Sequence, residues 1–232
     1  MMKNYLVIGG SSAAGTELIK KLLDSGATVY SSYHSRSIPI DSDRLVKFAL
    51  DVTRDEIPDG VLPETLHGFA YLPGSIQLKP FKRIGLDVFK EDFELQVLGA
   101  IRCLQSSLKS LTSADNGSVL FYSTVAVQRG FDFHSVVSTS KGALEGLTKA
   151  LSAELAPKIR VNCIAPSLTR SALSESFLNS DKKMEYQSNS HPLKRIGEPT
   201  DIAELSHFLL SERSSWMTGQ ILHLDGGRST LD

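Results

Sequence analysis

The residues from Gly9 to Gly15, Gly-Gly-Ser-Ser-Ala-Ala-Gly, follow the short apolar run Tyr5–Ile8 and precede a stretch in which Leu18, Ile19, Leu22 and Leu23 recur at helical spacing. A pyrophosphate needs backbone N–H groups that no side chain shields, together with the positive end of a helix dipole, and a strand, turn and helix of this composition supply both. Gly9, Ala14 and Gly15 leave the backbone open, and Ser11 and Ser12 add hydroxyl donors. His34, Ser35 and Arg36 follow the second apolar run, and no acidic residue stands between Ser25 and Ile40. A carboxylate near Tyr33 would take a ribose 2′-hydroxyl. Its absence, beside donors and a fixed positive charge, favours a 2′-phosphate and hence NADP(H) over NAD(H). The same residues also read as a tight turn without a ligand and a solvated surface arginine.

The elements that would hold these groups alternate along the chain. Strand-length apolar runs lie at Tyr5–Ile8, Thr28–Ser32, Leu45–Leu50, Gly68–Leu72, Ser118–Tyr122, Arg160–Ile164 and Gln220–Leu224. Between them, Phe93, Val97, Ile101, Leu104, Leu108 and Leu111 mark one face of a long helix, and Leu144, Leu147, Leu151 and Leu155 mark another. This is the pattern of repeated βαβ units. It predicts an α/β, doubly wound Rossmann fold, a seven-stranded parallel sheet with helices on both faces, in one domain over residues 1–232. The stretch from Ser171 to Pro199 departs from the alternation and reads as a polar, mobile flap.

Several segments together resemble the short-chain dehydrogenase/reductase family, in the family's order and over the length of the chain. Gly9-x-x-x-Ala13-x-Gly15 is similar to the family's GxxxGxG turn, with Ala13 at the middle glycine. Asp51-Val52 resembles its adenine-contacting pair, and Leu72-Pro73-Gly74 lies where the family has Asn-Ala-Gly. Ile159-Arg160-Val161-Asn162-Cys163-Ile164-Ala165-Pro166 is similar to IRVNxIxPG, with Ser167 at the final glycine. Pro192–Pro199, Thr218-Gly219-Gln220 and Asp225-Gly226-Gly227 resemble its closing segments. The resemblance implies that Gly9, Ser11, Ser12, Ala14, Gly15, Asp51, Val52, Leu72, Pro73, Gly74, Pro166, Ser167, Thr169 and Ser171 hold the cofactor. Ser171 stands where the family places a Thr against the nicotinamide amide, and equally reads as a helix cap.

The resemblance also implies a Tyr and a Lys four apart on one helix, where they share a face, with a Ser and an Asn as supports. Lys141, in Ser140-Lys141-Gly142-Ala143-Leu144, takes the Lys position, but four residues earlier stands Val137, and no tyrosine occurs between Tyr122 and Tyr186. Thr124 falls at the Ser position and Gln96 at the Asn position. A hydroxyl at Thr124 can still polarise a carbonyl. The missing proton donor has three candidate substitutes: His134 just before the helix, Ser138, or Lys141 itself with water. Losing a positioned acid costs about 10²–10⁴-fold in rate, which leaves a slow reductase physically possible. Lys141 also reads as a cofactor anchor alone, in which case the chain is a dinucleotide-binding sensor or partner subunit without turnover. A scaffold that binds no nucleotide is the third reading.

Composition narrows the partners. The 25 basic and 26 acidic residues are interspersed, so nothing recruits nucleic acid or an anionic membrane. Met1 runs through Lys3 and Asn4 into the first strand, and no apolar run has transmembrane length; the expectation is a cytoplasmic protein. Cys103 and Cys163 lie in apolar stretches, and the six histidines show no paired ligand spacing, so no metal is expected. The family resemblance implies a small-molecule substrate and a second copy of the chain as partners, in a homodimer or homotetramer.

Overall fold

The computed structural model describes residues 2–231. Seven strands, β1 (Asn4–Ile8), β2 (Thr28–Tyr33), β3 (Leu45–Ala49), β4 (Gly68–Tyr71), β5 (Gly117–Tyr122), β6 (Ile159–Pro166) and β7 (Ile221–Leu224), form one sheet in the order β3-β2-β1-β4-β5-β6-β7. All neighbours are parallel. Each run expected from the sequence is a strand, with ends shifted by no more than one residue, except β6, which runs two further to Pro166.

The central strands are covered on both sides, which is why Leu6, Val7 and Ile8 are apolar without alternation and lose all contact with solvent. Helices α1 (Ala13–Asp24), α2 (Leu86–Phe93), α3 (Gly99–Thr112) and α4 (Ser135–Leu155) precede three C-terminal ones, α5 (Glu175–Leu178), α6 (Asp181–Asn189) and α7 (Pro199–Leu210). The side chains of α3 and α4 pack with Leu6, Ile8, Phe69 and Phe121 on one face; those of α1 and α7 pack with Tyr5, Val7, Leu120 and Ile164 on the other. The stretch expected as a flap carries α5 and α6.

The helical face running from Phe93 to Leu111 is interrupted by a π-helical turn over Glu94–Leu98 that joins α2 to α3. The Gly99 N–H bonds the Glu94 carbonyl, five residues back, and the Leu95 carbonyl accepts the Tyr71 hydroxyl at 2.6 Å. Such turns widen the helix by one residue and re-aim its side chains; here Gln96 is fully buried.

Because β1 lies between β2 and β4, the chain winds away from it in both directions, and a crevice opens at the carboxyl ends of β1 and β4. In open α/β sheets that switch point is where ligands sit.

Candidate active site

A cavity of about 350 Å³ occupies this crevice. Its floor on one side is the start of α1. Gly10 N–H bonds the Ser32 carbonyl at 2.9 Å and Gly9 N–H bonds the Ser32 hydroxyl at 3.1 Å, tying the turn to β2. The approach is too close for a side chain: a Cβ on Gly10 would lie 2.0 Å from Ser31 Oγ, and one on Gly15 would lie 2.7 Å from the Gly9 carbonyl. Gly9 has φ of +82°, a conformation that favours glycine. Ser12 caps α1 by accepting from Gly15 N–H at 3.1 Å, and no acidic residue stands in the first turn to neutralise the dipole. Ser12 and Ala14 line the cavity. Ser11 stands beside them in the turn, and Pro73 packs against Gly9.

The opposite wall comes from α4 and the π-helical turn. Lys141 is 8% exposed, and its Nζ makes no hydrogen bond or ion pair among the described residues. Burial lowers its pKa to about 8, against a smaller opposing pull from Cys163 and Asp92. Lys141 and Gln96 both face Gly74, where a Cβ would lie 3.1 Å from Gln96 Oε1 and 3.4 Å from Lys141 Nζ. Gln96 Oε1 is buried without a partner, while its Nε2 donates to both oxygens of Asp92 at 2.8 Å. Asp92, itself buried, also accepts from the Ser75 hydroxyl and from the Ser140 hydroxyl, the latter at 2.6 Å. Three donors satisfy the buried Asp92 side chain, as a desolvated polar group requires. Asp92 carried no signal in the sequence beyond its four-residue spacing from Gln96.

Between these walls, β5 and β6 end side by side. Val125 N–H bonds the Pro166 carbonyl at 3.1 Å, which brings Thr124 and Ser167 to the same rim. Leu72, Gly74, Thr124, Val137, Pro166 and Ser167 all line the cavity. Val137 sits one turn before Lys141 on α4, 4% exposed, and offers only methyl groups. Ser138 points away, its hydroxyl donating to the Ala126 carbonyl at 3.1 Å. His134 reaches the cavity from the residue before α4, with Nδ1 on the Asp132 carbonyl at 2.8 Å and its ring 5.5 Å from Phe131. Thr169 and Ser171 line the far side; Ser171 shares a reciprocal cap with Ser174 at the start of a short 3₁₀ turn.

One pair in this wall escaped the sequence. Ser167 Oγ lies 2.9 Å from Nε2 of His191, a residue only 1% exposed, whose Nδ1 is 2.7 Å from the Gln187 carbonyl. Burial lowers the His191 pKa below the ordinary histidine value. The two lie 24 residues apart, so only the folded chain shows them together.

The remaining predicted residues gather at the outer end, beyond β2 and β3. His34 is 70% exposed with Nε2 3.8 Å from Asp51 Oδ2. Ser35 and Arg36 are exposed, and Arg36 has no acidic partner among the described residues. Asp51 accepts from Thr53 N–H and Oγ1 and pairs with Arg54 at 2.7 Å; the Thr53 hydroxyl above all holds its carboxyl below the usual range. Val52 is buried, with its carbonyl taken by Arg102. No helix among the described residues is long and apolar enough to cross a membrane.

A family model described as enoyl-(acyl carrier protein) reductase matches residues 14–229. The chain belongs to the short-chain dehydrogenase/reductase family. A 2,5-dichloro-2,5-cyclohexadiene-1,4-diol dehydrogenase of Sphingobium indicum is 26% identical over 99% of this chain and 98% of its own length. A tropinone reductase homolog of Arabidopsis thaliana is 30% identical, covering 96% of this chain and 92% of its own. In fold, the chain superposes on ElxO, solved with NADP bound, with a TM-score of 0.85 at 22% identity, covering 98% of this chain and 99% of that one. Short-chain dehydrogenases/reductases are oxidoreductases, and the open α1 terminus and the Lys141 ammonium, without a hydrogen bond among the described residues, are groups that a nicotinamide dinucleotide lying across the crevice would satisfy.

Proposed function

We propose that this protein is an NADP(H)-dependent oxidoreductase acting on the carbonyl or alcohol group of a small molecule, with a proton-transfer apparatus altered from the family's. The observation that carries the reading is Lys141: a buried cation without a partner among the described residues, facing the same cavity as a helix N-terminus with no acidic residue in its first turn. Leaving an ammonium so placed is costly unless a ligand completes it. The cofactor supplies hydride chemistry. The protein's part is to cradle the pyrophosphate on the Gly9–Gly15 backbone, to hold the nicotinamide ribose at Lys141, and to polarise the reacting oxygen with the Thr124 hydroxyl. Arg36, just beyond the end of β2 and without an acidic partner among the described residues, supports the 2′-phosphate and thus NADP(H).

Val137 favours one rival. A saturated side chain where the family resemblance places a tyrosine fits a protein that binds the dinucleotide as a sensor or partner subunit and turns nothing over. Titration of NADPH and NADH by fluorescence, followed by NADPH oxidation over a panel of ketones and quinones, separates the readings. Binding with turnover supports the enzyme, binding without turnover supports the rival, and no binding of either nucleotide sinks both. The reading includes a homodimer or homotetramer, for which light scattering giving the mass of one chain is the refuting result.

A further inference from the structure

We infer that Ser167 and His191 form a proton relay that replaces the missing tyrosine. The inference rests on the oxidoreductase reading above and adds the residues that move the proton.

Two departures from the family resemblance are complementary. On α4 a hydroxyl is lost at Val137; at the end of β6 a hydroxyl is gained, because Ser167 stands where the resemblance implies glycine. Both positions line the cavity, and Thr124 stands beside Ser167 across the bond from Val125 N–H to the Pro166 carbonyl. The gained hydroxyl is not a bare surface serine. Behind it lies His191, sealed from solvent, and the contacts of that ring fix its tautomer. The Gln187 carbonyl can only accept, so Nδ1 carries the ring proton; Nε2 is then bare and Ser167 Oγ donates to it. A neutral imidazole held this way is a base aimed at the hydroxyl of a serine that lines the cavity. The charged groups nearest the ring are Asp225, which also accepts from Ser229 and Gly227, and Arg228, which raise and lower the His191 pKa respectively, while burial dominates both.

In the oxidative direction the substrate O–H bond breaks, its proton passes to Ser167 Oγ, and the serine's own proton passes to Nε2 of His191. A nicotinamide cofactor held by the α1 turn and Lys141 would supply the hydride acceptor, so that the substrate C–H bond would break with its electron pair as the C=O bond forms. After product leaves, the imidazolium returns its proton through Ser167 to water in the cavity. In reduction the same steps run backward, with the imidazolium as the proton source. His134, the candidate substitute in the sequence, faces the cavity without a hydrogen-bonded relay partner; Ser138 is turned to a backbone carbonyl.

The test compares wild type, Ser167→Ala, Ser167→Thr, His191→Gln and Val137→Tyr in NADPH oxidation over the substrate panel, with NADPH affinity measured separately by fluorescence. Ser167→Ala removes one oxygen and leaves the fold intact, so it decides the matter even if His191→Gln destabilises the loop. The relay predicts that Ser167→Ala and His191→Gln each lower kcat at saturating NADPH by about 100-fold, beyond any change in NADPH affinity. It further predicts that the wild-type solvent deuterium isotope effect and the acidic limb of the pH profile disappear in Ser167→Ala, and that Ser167→Thr restores turnover. Ser167→Ala at wild-type rate overturns the relay. An idle wild type beside an active Val137→Tyr also overturns it while leaving the cofactor and substrate reading intact. Idleness of both, across the panel, overturns the oxidoreductase reading and the relay with it.

Discussion

The two walls of the cavity are built by opposite means. The α1 wall is backbone: Gly9, Gly10 and Gly15 bring main-chain groups together at distances no side chain would tolerate, and its charge is the half-charge of a helix end. The α4 and β6 wall is side chains: a buried ammonium, a buried carboxylate with three donors, and a serine backed by a buried histidine. The backbone wall tolerates a methyl group at Ala13, but a Cβ at Gly10 or Gly15 collides. A wall of side chains can change its chemistry residue by residue while the fold stays put, and it is here that Val137, Thr124, Gln96 and Ser167 depart from the family resemblance.

That contrast can be broken first at Gly10. Gly10→Val drives a branched side chain into Ser31 and Ile19, and should cost about 3 kcal/mol or more in denaturant unfolding and abolish NADPH binding. A stable, binding Gly10→Val protein would show that the backbone wall is not rigid.

Lys141→Met should do the reverse, stabilising the free protein while weakening NADPH binding. Burial lowers Lys141 from 10.5 to about 8. Between these values the unfolded chain holds a proton that the folded chain has released, so stability rises with pH across that window, and below about pH 8 the buried charge carries its full penalty. The shift corresponds to ~3 kcal/mol; because cavity water reaches the site, a gain of about 2 kcal/mol at pH 7 is expected on removing the amine. A melting temperature unchanged or lowered by Lys141→Met would mean that the ammonium is already satisfied.

At the outer end, Arg36→Ala should weaken NADPH about tenfold, the equivalent of ~1.4 kcal/mol for one charge-assisted phosphate contact, and leave NADH unchanged. Equal losses for both nucleotides would remove Arg36 from 2′-phosphate recognition. The smallest effect is Ser12→Ala, which removes the α1 cap and should cost about 1 kcal/mol of stability, with NADPH affinity following only modestly.

The sequence made the first wall legible because its requirement is local. A run of small residues between an apolar strand and a helical period already states that the backbone must lie bare at a helix start, and the structure adds only the contacts that make each glycine necessary. It made half of the second wall legible: Lys141 and Val137 share a helix, so a four-residue spacing places them on one face. The π-helical turn that buries Gln96 left no mark in the apolar spacing, because one extra residue per turn is absorbed within an otherwise continuous helical face.

By itself, then, the sequence determined the sheet, its winding and the glycine-rich turn, since strand length, apolar continuity and small-residue turns are properties of neighbouring residues. Tertiary structure alone decided which side chains meet. Asp92 serves Gln96, Ser75 and Ser140 at once, and His191 lies behind Ser167, through contacts between segments whose separation along the chain carries no code for distance in space. The protonation chemistry of the site follows from that burial and pairing, because desolvation and hydrogen bonding, which set whether Lys141 and His191 carry a charge, exist only once the chain has closed around them.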